Sequence, residues 1–201
     1  NIFDDPEKPD YVVSDISDVE ANLTIEPGVH IEFGSGARMD IESGGSLVAI
    51  GTEDAPIRFT GAIKSPGSWN GIRFRSSSPN NELSHAIIEY GGNNYANIFI
   101  TYKGGVTINH ITSQFSSTYG LEAENDAQLR DFSNNVFAGN ETAIMKIPAN
   151  LIGSLDINSE YNGESGNDFI SVDDVNIETK QTWPAIEVPY VIDGNIDIKE
   201  E

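Results

Sequence analysis

The chain has 201 residues and a mass of 21.8 kDa, enough for one sizeable core. Its 32 acidic against 11 basic residues give a net charge of −21 and an isoelectric point near 4.2, a field that repels nucleic acid and anionic membrane surfaces. The absence of cysteine excludes a disulfide framework and thiolate catalysis, and no apolar run is long enough to cross a bilayer as a helix.

Residues 1–10 (NIFDDPEKPD) are rich in proline and acid without periodicity and read as a linker ahead of one domain over residues 11–201. Asn1 in place of an initiator methionine suggests a processed chain. Tyr11–Val19 opens an extended pattern. Between Ala21 and Gly61 apolar residues then alternate in short groups, Leu23/Ile25, Val29/Ile31/Phe33, Met39/Ile41, Leu47/Ala49 and Ile57/Phe59. The first four groups each end at a turn former: Pro27-Gly28, Gly34-Ser35-Gly36, Gly44-Gly45 and Gly51-Thr52. Alternation predicts strands buried on one face. Strands of three to five residues reach only about 10–17 Å, too short for a sandwich, so something must stack them.

The inward positions recur at about 22–26 residues, through Ile25, Ala49, Phe74, Ile100, Ala123, Ile147, Ile170 and Ile192. A propeller blade needs four strands in about forty residues, whereas each unit here supplies two or three, which suits one rung of a parallel β-helix. The expected fold is therefore an all-β, single-stranded parallel β-helix, a solenoid of about 7–8 rungs stacked roughly 4.8 Å apart. Ser68–Arg75, Leu83–Tyr90, Ala96–Tyr102 and Val106–Ile111 continue the theme, and Asn134-Asn135 and Asn140 fall at corners. Glu141–Leu151 is the best helical candidate, limited to about two turns by Pro148. The tail from Pro189 to Ile198 lines up with Pro9–Val19, so residues 181–201 read as a terminal rung or the start of a further repeat. The exposed end rungs leave backbone groups for something to cover.

The residues Leu23-Thr24-Ile25-Glu26-Pro27-Gly28-Val29-x-Ile31-x-Phe33 begin a longer signature. It continues as Gly45-Ser46-Leu47-x-Ala49-x-Gly51-Thr52-x-x-x-Pro56-Ile57-x-Phe59-Thr60, then as Trp69-x-Gly71-Ile72-x-Phe74. With the later Asn135-x-Phe137-x-x-Asn140, it resembles a bacterial secreted and cell-surface right-handed parallel β-helix family whose members include lipoproteins, adhesin-like proteins and repeat arrays. The resemblance covers about Tyr11–Leu155 and implies a right-handed coil and an extracellular or cell-surface location, with a lipid anchor as one means of attachment. Its residues are those of corners and core: Pro27 fixes φ, Gly28 permits the turn, and Gly71 lets backbones approach beside Trp69.

Chemistry is harder to find. His30, His85 and His110 lack metal-ligand spacing, and the glycine-rich corners match no phosphate-binding loop. Calcium is the one cofactor the carboxylates would suit, at Asp4/Asp5/Glu7/Asp10 or Asp168/Asp173/Asp174. Arg58, Arg73 and Arg75 fall on neighbouring strands and point outward as a basic patch, while among so many acids no catalytic carboxylate pair stands out. Trp69, Tyr90 and Tyr95 are aromatic candidates for stacking on sugar. Five of these six residues, all but Arg58, lie in Ser68–Tyr102, where a binding surface is expected.

The expected function is a non-enzymatic spacer or adhesion module whose partner is a polysaccharide or another surface protein. The alternative is a polysaccharide lyase or glycoside hydrolase, which requires a concave groove holding Arg58, Arg73 or Arg75 near carboxylates and calcium.

Overall fold

The structure is a computed structural model and describes residues 8–101, 103–162 and 167–199. The linker reading of residues 1–10 falls largely outside them. Its last residue, Asp10, is tied down: its amide donates to the His30 carbonyl and its carboxylate accepts from the His30 amide, both at 2.8 Å.

The chain winds as a parallel β-solenoid of about seven turns. The first turn is β1 (Tyr11–Val13), β2 (Ile16–Val19) and β3 (Asn22–Ile25), and the second is β4 (His30–Phe33), β5 (Arg38–Ile41) and β6 (Ser46–Ile50). The third and fourth are β7 (Ile57–Gly61), β8 (Ile72–Phe74) and β9 (Glu82–Ser84), then β10 (Ala86–Glu89), β11 (Ile98–Ile100) and β12 (Gly105–Asn109). The fifth is β13 (Thr112–Gln114), β14 (Tyr119–Ala123) and β15 (Gln128–Ser133). In the sixth, β16 (Val136–Ala138) and β17 (Ala143–Pro148) lead into a 3-10 segment, Ala149–Ser154. β18 (Glu160–Asn162), β19 (Ile170–Asp173) and β20 (Tyr190–Asp193) complete the coil.

Equivalent strands stack in parallel into three sheets. Sheet A runs β1-β4-β7-β10-β13-β16-β18, sheet B runs β2-β5-β8-β11-β14-β17-β19-β20, and sheet C runs β3-β6-β9-β12-β15. Because side chains alternate across a strand, every other residue enters the core in the same row of each turn. In sheet A that row is Ile31, Phe59, Ile88, Ser113, Phe137 and Tyr161, with Tyr11 in register but exposed at its first end. Phe33, Phe59, Phe74 and Phe137 are wholly buried.

Corners need backbone partners where the ladders break. Buried asparagines supply them: Asn97 Oδ1 accepts from the Gly91 amide at 2.8 Å while its Nδ2 donates to the Gln114 carbonyl at 2.9 Å. Asn81, Asn135 and Asn140 bridge backbone groups in the same way. Asn134, with φ of +53°, takes the left-handed conformation expected at such a corner. Gly71 is required twice over: its φ is +83°, and a Cβ there would lie 2.1 Å from the Ala96 carbonyl oxygen.

Three details of the sequence reading are corrected. Glu141–Leu151 is no helix, because Ala143–Pro148 is held as a strand between β14 and β19 and only the short 3-10 segment follows. The inward anchors do not form one column. Phe74, Ile100 and Ala123 stack in sheet B, whereas Ile25 and Ala49 pair in sheet C and continue to Leu83. Head and tail, alike in sequence, occupy different faces: Tyr11–Val13 starts sheet A and Tyr190–Asp193 extends sheet B.

Candidate functional site

Of the six candidate residues, Arg73, Arg75 and Tyr95 line one groove of about 470 Å³ on the outer face of sheet B, together with Phe99, Thr101 and Glu124. The register builds it. Arg73 of β8 lies beside Phe99 of β11, which lies beside Glu122 of β14. Just past the ends of the same three strands come Arg75, Thr101 and Glu124. Tyr95, in the loop between β10 and β11, lays its ring on Phe99 with centroids 4.8 Å apart and planes within 10°. The Arg73 guanidinium sits 5.6 Å from the Tyr95 ring centre, in reach of a cation–π contact. Phe99 is thereby covered although its position faces outward.

The charges of this face are already matched. Asp40, 1% exposed, accepts from Arg73 Nε at 3.0 Å and from Arg38 Nε at 2.8 Å. Arg75 donates to Glu42 at 2.9 Å, and that hydrogen bond, with the carboxylate's charge, pushes the Arg75 pKa up. Further along, Lys146 lies 3.3 Å from Asp173 and 4.0 Å from Glu122. Burial lifts the Glu122 pKa above the usual carboxylate range, Asp173 and Glu124 add to the lift, and Lys146 opposes it.

Arg58 and Tyr90 belong elsewhere. The loop after β7 carries the chain from sheet A to sheet B, so Arg58 faces outward from sheet A, where it pairs with Glu89; the expected patch of three arginines is divided. Gln114 also donates to Glu89, at 2.8 Å. Tyr90 stacks on Phe115 at 5.4 Å, and both stand at left-handed corners, with φ of +63° and +53°. His85 and His110 make a similar pair at 4.7 Å. Trp69 is no surface platform: it is wholly buried, stacks on Phe33 at 4.1 Å, and donates Nε1–H to the Glu89 carbonyl at 2.9 Å.

Calcium finds poor reception. Asp4, Asp5 and Glu7 lie outside the described residues. Asp173 is paired with Lys146, while Asp168 lines a different groove beside Tyr161 and Glu187. Among the described residues, only Asp18, Asp40 and Glu42 bring three carboxylates within 4.8 Å of one another. The Arg38, Arg73 and Arg75 guanidinium groups that bind two of these three place positive charge where a cation would have to sit.

Phe99, Thr101 and Glu124 were not among the sequence candidates. A signal existed for Phe99: Ile98-Phe99-Ile100 breaks the alternation, and an apolar residue in an outward slot marks a covered surface. No family model matches the chain, and neither the curated proteins nor the solved structures supply a match.

Proposed function

We propose that the protein is a non-enzymatic, extracellular module of a bacterial cell surface, a rigid solenoid that holds glycan in the sheet B groove. The groove carries this reading, because a ring supported from below and rimmed by fixed hydrogen-bonding groups is what sugar recognition uses. Rigidity supports it too: Tyr95 is fixed at both ends, its carbonyl accepting from the Thr118 hydroxyl and its ring resting on Phe99. The location outside the cell rests on the resemblance of the Leu23–Phe74 signature to surface β-helix proteins. Screening the purified protein against an oligosaccharide array tests the proposal. The expected result is binding that Tyr95→Ala weakens by about tenfold, or about 1.4 kcal/mol; a protein that retains no oligosaccharide would overturn it.

A polysaccharide lyase or glycoside hydrolase is the second reading, favoured by the Asp18/Asp40/Glu42 cluster beside Arg73 and Arg75. It asks an arginine to act as a base while that arginine is engaged by a carboxylate. Release of reducing or unsaturated ends from polygalacturonate with added calcium supports this reading, and no release sinks it.

A further inference from the structure

We infer that the sheet B groove selects neutral, hydroxyl-rich glycans and discriminates against those carrying carboxylates; this deepens the glycan-binding reading and rests on it. Chains of uronic acid are the polymers that arginines in a groove would ordinarily suggest. Here both arginines are committed. Arg73 lies against Asp40, which is buried and shared with Arg38, and Arg75 lies against Glu42. The remaining N–H groups of Arg73 belong to a guanidinium whose charge Asp40 already offsets, and a uronate that paired with it in full would draw it from Asp40 and leave a buried carboxylate with one partner fewer, a penalty that a neutral sugar avoids.

The wider field works the same way. Arg38, Arg73, Arg75 and Lys146 offset Asp40, Glu42 and Glu122, Asp18 and Glu124 add carboxylates on the same face, and the whole chain carries a net charge of −21. A polyanion approaching that face meets repulsion extending over about 10 Å at ordinary ionic strength. A neutral glycan meets none, and for it the accessible carboxylates of Glu42, Glu122 and Glu124 are acceptors for hydroxyl protons. The guanidinium N–H groups not used by Asp40 and Glu42 are donors, and the Tyr95 plate takes the apolar face of the ring. Groups that would exclude an acidic chain are therefore the ones that hold a neutral one.

Isothermal titration at low and high sodium chloride tests this with two sets of probes, neutral hexose oligomers of several linkages and oligogalacturonate of matching length. The expected result is that a neutral oligomer binds, that its affinity hardly changes with salt, that oligogalacturonate binds at least about tenfold more weakly, and that Tyr95→Ala weakens the neutral binding about tenfold. Oligogalacturonate binding as tightly as the best neutral probe and weakening with salt overturns the neutral selectivity while leaving glycan binding intact. Neutral binding indifferent to Tyr95→Ala, in a variant with unchanged thermal unfolding, overturns the assignment to this groove. If neither set binds, glycan binding itself falls with the inference.

Discussion

Sheets A and B each present an arginine beside a nearly buried carboxylate and a pair of stacked aromatic rings, yet among the described residues it is the sheet B set that lines a groove. On sheet A the rings of Tyr90 and Phe115 occupy the corners themselves, on left-handed backbone that bulky residues rarely adopt, and they follow the coil from turn to turn. On sheet B, Tyr95 comes from a loop and lies across the strands, over Phe99. The same residue types thus serve the coil in one place and shape a recess in the other. What separates them is whether the ring belongs to the repeat or interrupts it.

The residue joining the two faces gives the largest expected effect. Trp69 lies in the loop between β7 and β8, and Trp69→Ala should cost about 3–5 kcal/mol by emptying the space against Phe33 and stranding the Glu89 carbonyl. Urea unfolding measures it; a loss below about 1 kcal/mol would show that the core can collapse around the gap.

The two ion pairs differ next. Arg58→Ala leaves Glu89, 4% exposed, with the neutral Gln114, whereas Arg73→Ala leaves Asp40 still held by Arg38. The first should cost about 3 kcal/mol and the second about 1 kcal/mol, because only the first leaves a buried charge without a counter-charge. Equal losses in parallel urea titrations would erase this distinction between the faces.

The smallest effect is a difference in sign. On sheet A, burial lowers the His30 pKa from the usual 6.5, a shift that Glu32 opposes and that Lys64 and Arg58 reinforce. The unfolded chain then takes up its proton first, so stability should fall as pH drops below 6.5 toward the lowered value. On sheet B the Glu122 pKa is raised above the usual 4.5, so the folded chain takes up the proton first. Its burial cost is relieved, and stability gained, as pH falls through the raised value toward 4.5. His30→Gln should flatten the upper limb of the stability–pH curve and Glu122→Gln the lower. Identical curves for both variants and the parent would break the contrast.

The coil itself was legible from Leu23, Ile31, Phe59 and their turn glycines, since alternation, short runs and a recurring interval leave few other arrangements. The column assignment slipped because each strand sends two residues inward: Ile170 and Val172 both enter the core, and only Val172 continues from Ile147 to Ile192. Local propensity favoured a helix at Ala143–Pro148, but pairing with strands on both sides outweighs it. Arg73, Arg75 and Tyr95 were found as outward or aromatic residues, yet that Arg58 lay elsewhere depended on where the loop from Ala62 to Gly71 turns the corner. Nor could the sequence show that Trp69 faces inward, since a loop has no period from which to read a direction.

The strands of all three sheets run across the solenoid, so their ladder hydrogen bonds point along it. Under tension between the chain ends, these bonds are loaded singly from the outermost rung instead of sharing the force in shear. The protein should therefore be stiff against bending but weak against being unwound, releasing about 80 Å of slack for each turn of roughly 25 residues that peels away. A module built this way would act under load as a series of small shock absorbers.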